Sequence, residues 1–207
     1  MHYLEFSAGV MGSAQDGPWS FDGGSTATFG VRGLVNHEDQ FAYKRYQAHG
    51  DFFYLRGQMR LTRALPWSTA ATFRAAGQWA PDPLIANEQF SLGGVDTVRG
   101  YLEAEVLADM AAAASLELST PRWASSADPA RAFAVTGLIF VDAGIARQER
   151  PLPGEDAQSH LASYGLGLLL AGPWDLSGLF DLARTMSAGT RTMLHDTRVH
   201  FMLRMGF

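Results

Sequence analysis

The chain has 207 residues, enough for one sizeable domain, with 47% hydrophobic and only 18% charged residues and a formal net charge of -5. That balance excludes a basic nucleic-acid-binding surface and is too apolar for a disordered chain. Cysteine is absent, which removes disulfide frameworks and thiolate metal sites, and no apolar run approaches the ~18 residues of a transmembrane helix.

Taken in chain order, period-2 alternation dominates over helical spacing. Residues 3–11 read as a short aromatic-bearing strand, residues 12–24, with Gly, Asp and Pro, as a loop, residues 26–35 as a second strand and residues 37–51 as a polar loop. From residue 52 the pattern sharpens. Phe53, Leu55, Gly57, Met59 and Leu61 alternate with Tyr54, Arg56, Gln58, Arg60 and Thr62. Pro66 suits a turn or a strand start, and Trp67, Thr69, Ala71, Phe73, Ala75, Gly77 and Trp79 form the next apolar row.

The segment 80–109 has little strand character. It is longer than most structureless connections in compact domains and too rich in Leu, Val, Phe and Tyr for a solvated tail, so it must pack against something. Alternation returns at Ala114, Leu116 and Leu118, in the more apolar 131–145, in Ala162, Tyr164, Leu166, Leu168 and Leu170, and in 176–182. The last stretch alternates Thr197, Val199, Phe201, Leu203 and Met205 with Arg198, His200, Met202 and Arg204 up to Phe207.

This pattern predicts an all-β fold: about nine strands of roughly 10–13 residues, longer than the usual 5–6 and close to the ~9–11 of a transmembrane β-strand. Trp67 and Trp79 share a row and are separated by about 40 Å of strand, roughly 30 Å after a tilt of about 40°, comparable to the apolar band between the aromatic girdles of an outer-membrane barrel. Trp123 and Trp174 also fall at strand ends. Arginines recur on the second face, as a water-filled lumen requires. Counted back from the C-terminus, the long connections fall on one side and the short ones on the other, which predicts an antiparallel transmembrane β-barrel.

Within the long loop, Leu92-Gly93-Gly94-x-x-Thr97-Val98-Arg99-Gly100-Tyr101 resembles the loop motif of the POTRA-barrel outer-membrane transporters. The wording from Phe90 to Glu103 is most similar to the haemolysin secretion/activation branch, the two-partner-secretion transporters. A second motif of that superfamily, Phe-x-Asp-x-Gly, matches Phe140, Asp142 and Gly144 on the second strand after the loop, and the terminal Phe207 matches the signal by which such barrels are recognised for assembly. The resemblance implies that loop 80–111 folds into the lumen, where the tip residues Val98, Arg99, Gly100 and Tyr101 meet the wall and Arg99 pairs with Asp142. Period 2 lets Asp142 face inward with Phe140 and Gly144, opposite to Ile139 and Val141. It further implies outer-membrane localisation, a secreted hemolysin- or adhesin-like exoprotein as partner, outer-membrane lipid around the barrel, and the barrel-assembly machinery as a partner in biogenesis.

Those transporters carry a signal peptide, POTRA domains and a barrel of about sixteen strands, so residues 1–207 read as the C-terminal part of such a barrel, without the signal peptide, POTRA domains and N-terminal strands. Two other functions share the barrel: insertion of other outer-membrane proteins, and anchoring of a patatin-like lipase. No cofactor, metal site or catalytic group is expected. His195 and His200 point to opposite faces of a strand and cannot chelate together, Gly165-Leu166-Gly167 opens no helix, and Ser187, His195 and Asp196 lack the spacing of an activated nucleophile.

Overall fold

A computed structural model describes residues 3–31, 39–128 and 131–206. Nine long antiparallel strands form one sheet: β1 (Glu5–Asp16), β2 (Trp19–Gly30), β3 (Phe53–Ala64), β4 (Ala70–Trp79), β7 (Met110–Ser119), β9 (Ala134–Arg147), β10 (Gln158–Gly172), β11 (Leu176–Thr185) and β12 (Thr197–Arg204), each beside the next in that order. The two-residue β8 (Trp123–Ala124) pairs with β9. Inside the connection from β4 to β7, β5 (Phe90–Leu92) and β6 (Val106–Ala108) make a separate ribbon, and a short helix, α1 (Asp39–Lys44), lies between β2 and β3. Among the described residues no helix is long and apolar enough to cross a membrane.

Alternation sets the two faces. Leu116, Leu118, Ile139, Val141, Ile145 and Phe201 point away from the loop and stay open, with Phe201 81% exposed. Continuous apolar surface of this extent is untenable in water and marks a lipid or partner contact. The opposite row holds Arg56, Gln78, Ser115, Glu117, Asp142, Asp181 and His200, and the loop packs there. The main buried cluster joins Leu92, Val98, Tyr101 and Ala108 of the loop to Ala111, Ala113, Ala146 and Leu161 of the wall. A second cluster, Phe41, Ala48, Phe52, Tyr54, Ala80, Leu84 and Ile85, fills the long-loop end.

Four sequence expectations need correction. Residues 12–24 are not a loop: β1 and β2 run through them in register, with Gly12 opposite Gly23 and Met11 opposite Gly24, and the turn is confined to Gly17 and Pro18. Small and polar residues suit an inward, wet sheet face and mimic a turn composition. Trp67 does not share a strand with Trp79. It sits in the 3-10 turn Pro66–Ser68 with a left-handed φ of 59°, so the Trp67–Trp79 separation is not a strand length. The polar stretch 37–51 contains α1, whose Phe41 is fully buried. The second strand ends at Gly30 rather than at residue 35, and residues 32–38 lie outside the described set, as does Phe207.

With the β1–β2 turn corrected, the loop alternation becomes regular. The connections at residues 17–18, 65–69, 120–133 and 173–175 lie at one end, and those at 31–52, 80–109, 148–157 and 186–196 at the other. Trp19, Trp67, Trp123 and Trp174 all fall at the short-turn end and all are exposed, the distribution that outer-membrane barrels show in an aromatic girdle. Arg63 stacks over Trp19 there, 5.0 Å from the ring centre.

Candidate functional site: a lumenal loop anchored by Arg99

Register brings the anchor together. Ser115 pairs with Asp142 and Asp142 with Ser163, while one step along Glu117 pairs with Phe140 and Phe140 with Gly165. These inward side chains form two adjacent cross-strand rows, and the tip of the loop descends onto them. Arg99 Nε donates to Asp142 Oδ2 at 2.8 Å and Nη2 to Oδ1 at 2.8 Å, a two-pronged guanidinium–carboxylate pair. The Arg99 backbone N–H adds a third bond to Oδ2 at 3.1 Å. Nη2 also reaches Ser115 Oγ at 3.0 Å, Nη1 reaches Glu117 Oε1 at 2.8 Å, and Asp181 Oδ2 lies 3.6 Å away. Arg99 is 2% exposed and Asp142 0%.

Phe140 is the floor of this site. The Arg99 guanidinium carbon lies 3.4 Å from its ring centre, and on the far side Gly165 leaves the ring its space: a Cβ there would come within 2.4 Å of Phe140 Cζ. Gly144 provides the same clearance one row away, where a Cβ would meet Leu92 and Val98 of the loop at 2.7 and 2.9 Å. Gly100 has φ of 92°, the left-handed region that favours glycine, and its N–H donates to His200 Nε2 at 3.1 Å. Tyr101 is fully buried, with its hydroxyl bonded to Ala162 O at 2.9 Å and to Ser187 O at 2.8 Å.

Charge balance explains why so many carboxylates converge. Burial works against the Arg99 charge, but the hydrogen bonds and charge of Asp142, with Glu117 and Asp181 behind them, outweigh it and hold the guanidinium above its ordinary value. Glu117 is shared with Arg74, whose Nη2 lies 2.8 Å from the same oxygen. The site therefore holds a fixed cation in an acidic socket.

The return limb of the loop carries two more buried carboxylates. Glu105 accepts hydrogen bonds from the Arg191 and Thr192 N–H groups and from Thr192 Oγ1 in the β11–β12 connection, and from Leu102 N–H in its own limb. Burial alone raises its pKa, but these donors hold it below the ordinary carboxylate range. Asp109 accepts from Leu84 N–H and Gln89 Nε2 on one oxygen, and from Arg45 Nη2 and Glu149 N–H on the other.

Val98, Arg99, Gly100, Tyr101, Phe140, Asp142 and Gly144, all singled out in the sequence, thus meet at one place. Ser115, Glu117, Asp181, His200 and Gly165 belong to the same place and were not singled out for it; the available signal was their inward parity on neighbouring strands. Ser187 Oγ is taken up by Tyr101, Ala162 and His160, and Asp196 accepts from the Met193 N–H. Across the lumen an open groove of about 1240 Å³ separates the loop from β1–β4, lined by Arg56, Arg60 and Arg74 on the wall and by Gln89, Ser91 and Asp96 on the loop.

Apolar outer rows, a polar inner face and a long loop bound to that face define a transmembrane β-barrel protein of the outer-membrane kind. The family model described as haemolysin secretion/activation protein ShlB/FhaC/HecB matches residues 1–170, and the chain belongs to that family. Its members are outer-membrane transport pores rather than enzymes. The fold is similar to that of CdiB from Escherichia coli (TM-score 0.77, 19% identity, 98% of this chain and 36% of that one). It is also similar to CdiB from Acinetobacter baumannii (TM-score 0.67, 19% identity, 96% and 32%). The chain therefore spans about a third of the length of these solved structures. Among curated proteins none matches.

Proposed function

We propose that residues 1–207 form the C-terminal part of the barrel of a two-partner-secretion pore, which passes an unfolded exoprotein across the outer membrane. The observation that carries this reading is the loop tip, a buried cation bound inside a wall whose outer rows are apolar. A loop so placed occupies the lumen, and its attachment to β7, β9, β11 and β12 leaves the arginine-lined groove along β1–β4 as a wet lane beside it. The outer rows face outer-membrane lipid, and Phe207 is the residue offered to the barrel-assembly machinery. Membership of the secretion/activation family supports export over insertion of other barrels or anchoring of a lipase.

Export itself is the test. Cells expressing the protein together with a candidate two-partner-secretion exoprotein should release that exoprotein into the medium, and cells lacking the protein should retain it. Equal release with and without the protein contradicts the reading.

A further inference from the structure

The long-loop end is closed by more than the lumenal loop. Helix α1 and the residues after it, the β9–β10 connection at Glu149 and the β11–β12 connection at Arg191 and Thr192 form a roof, and each is bonded to one short limb, residues 102–109. Glu105 takes the β11–β12 connection with three hydrogen bonds, and Arg191 Nη2 returns bonds to Glu103 O and Ala104 O at 3.1 and 2.9 Å. Four residues on, Asp109 takes Arg45 at 2.9 Å and the Glu149 N–H at 2.8 Å. Both carboxylates are buried, and every partner is a donor, so neither can be replaced by its amide without turning donors against donors. Gly189 fits against Glu105 because it has no Cβ: one there would lie 2.6 Å from Glu105 Oε1.

From this geometry we infer that Glu105 and Asp109 are positioning residues, a two-point clamp that binds the roof connections to the lumenal loop so that roof and loop leave the lumen as one body. The inference rests on the proposed pore function and adds to it that the loop can move: docked at Arg99 it holds the conformation export requires, and when it leaves the lumen it opens the pore to ions. Its physical basis is the cost of stripping a buried carboxylate of its donors. When the Arg99 anchor releases, each roof connection must be carried along or the carboxylate that holds it must be stripped, so loss of either carboxylate lowers the cost of release.

The absence of cysteine from the sequence gives a clean test. In the double variant Glu105→Cys/Gly189→Cys, the Glu105 Cγ position that the first sulfur takes lies 3.1 Å from the residue-189 Cβ, a separation between a Cβ and its partner sulfur that an S–S bond of about 2.05 Å can close. Protein purified from outer membranes and placed in planar bilayers is recorded with oxidant and with reductant. The reduced variant lacks the carboxylate and should show channel openings about ten-fold more often than wild type, and oxidation of the same sample should return them to the wild-type frequency or below. Arg99→Ala, recorded in parallel, reports on the underlying reading. Frequent openings in Arg99→Ala with no difference between oxidised and reduced double variant overturn the clamp alone; wild-type behaviour of Arg99→Ala overturns the movable-loop reading as well.

A labelling experiment addresses the joint movement. Ala48→Cys in the roof and Ala108→Cys in the loop are buried in the closed state, and in an Arg99→Ala background both should react with an impermeant maleimide at rates raised together. A raised rate at residue 108 with residue 48 still protected overturns the one-body inference.

Discussion

The Arg99 guanidinium lies face-on over the Phe140 ring, with its carbon 3.4 Å from the ring centre, and from that position it reaches Asp142 two residues further along the same strand with two nitrogens. Strand parity puts both wall residues inward, so one planar cation is fixed by a ring beneath it and a carboxylate beside it. A lysine could satisfy neither geometry.

Arg99→Lys should therefore behave more like Arg99→Ala than like wild type. Removing one partner of a buried pair typically costs ~3–5 kcal/mol, and here it leaves Asp142, Glu117 and Asp181 facing one another. The temperature at which the folded barrel loses its compact gel mobility should fall for both variants. A lysine variant with wild-type stability and mobility contradicts the fork-and-ring account.

Gly165 supports the same site from behind. Gly165→Ala places a Cβ into the Phe140 ring edge and the Leu182 carbonyl, and overpacking of this kind costs ~1–3 kcal/mol. Gly12→Ala on the same sheet has open space around its Cβ and serves as the control. The melting temperature should drop for Gly165→Ala and stay put for the control; equal melting temperatures contradict the assignment.

His200 is the acceptor for the Gly100 N–H at the loop tip. His200→Ala leaves that donor unpaired, a loss of ~1–3 kcal/mol for a buried group, whereas His200→Gln keeps an acceptor on the same strand face. Hydrogen exchange of the segment 98–101 should accelerate in the alanine variant and much less in the glutamine variant. Equal exchange in both argues that His200 does not hold the tip.

Glu105 makes the return limb sensitive to acid. Its pKa in the folded state is held below the ordinary carboxylate range by the donors of residues 191 and 192, so its ionised form binds more strongly than its protonated form. Its contribution is complete above the unfolded value of about 4.3 and is lost as pH falls through the depressed folded value. Maleimide labelling of Ala108→Cys at fixed thiolate fraction, after brief acid exposure, should be flat down to about pH 4 and rise below it. In Glu105→Gln that step should disappear.

How much of this could be read in the residues alone depends on whether the cause is local. The rows from Phe53 to Leu61 and from Thr197 to Leu203 are visible because one face is apolar and open while the other carries polar and charged side chains. Arg99 and Asp142 stood out through their motifs. Residues 12–24 misled because Gly, Ser and Asp on a wet inner face have the composition of a turn, and Trp67 misled because a left-handed turn interrupts the row it continues. Glu117, Asp181 and His200 join the socket only through cross-strand register, which no single strand encodes. Glu105 and Asp109 gained their roles from connections that the assembled sheet brings together from distant parts of the chain.

The account turns on Arg99 anchoring a loop whose position governs transport, and the most direct measurement is release of the exoprotein by Arg99→Ala and Asp142→Ala at matched levels of assembled barrel. Both variants should release at least ten-fold less than wild type while their barrels remain heat-modifiable and outer-membrane resident. Wild-type release by both, from barrels present at equal level, contradicts it.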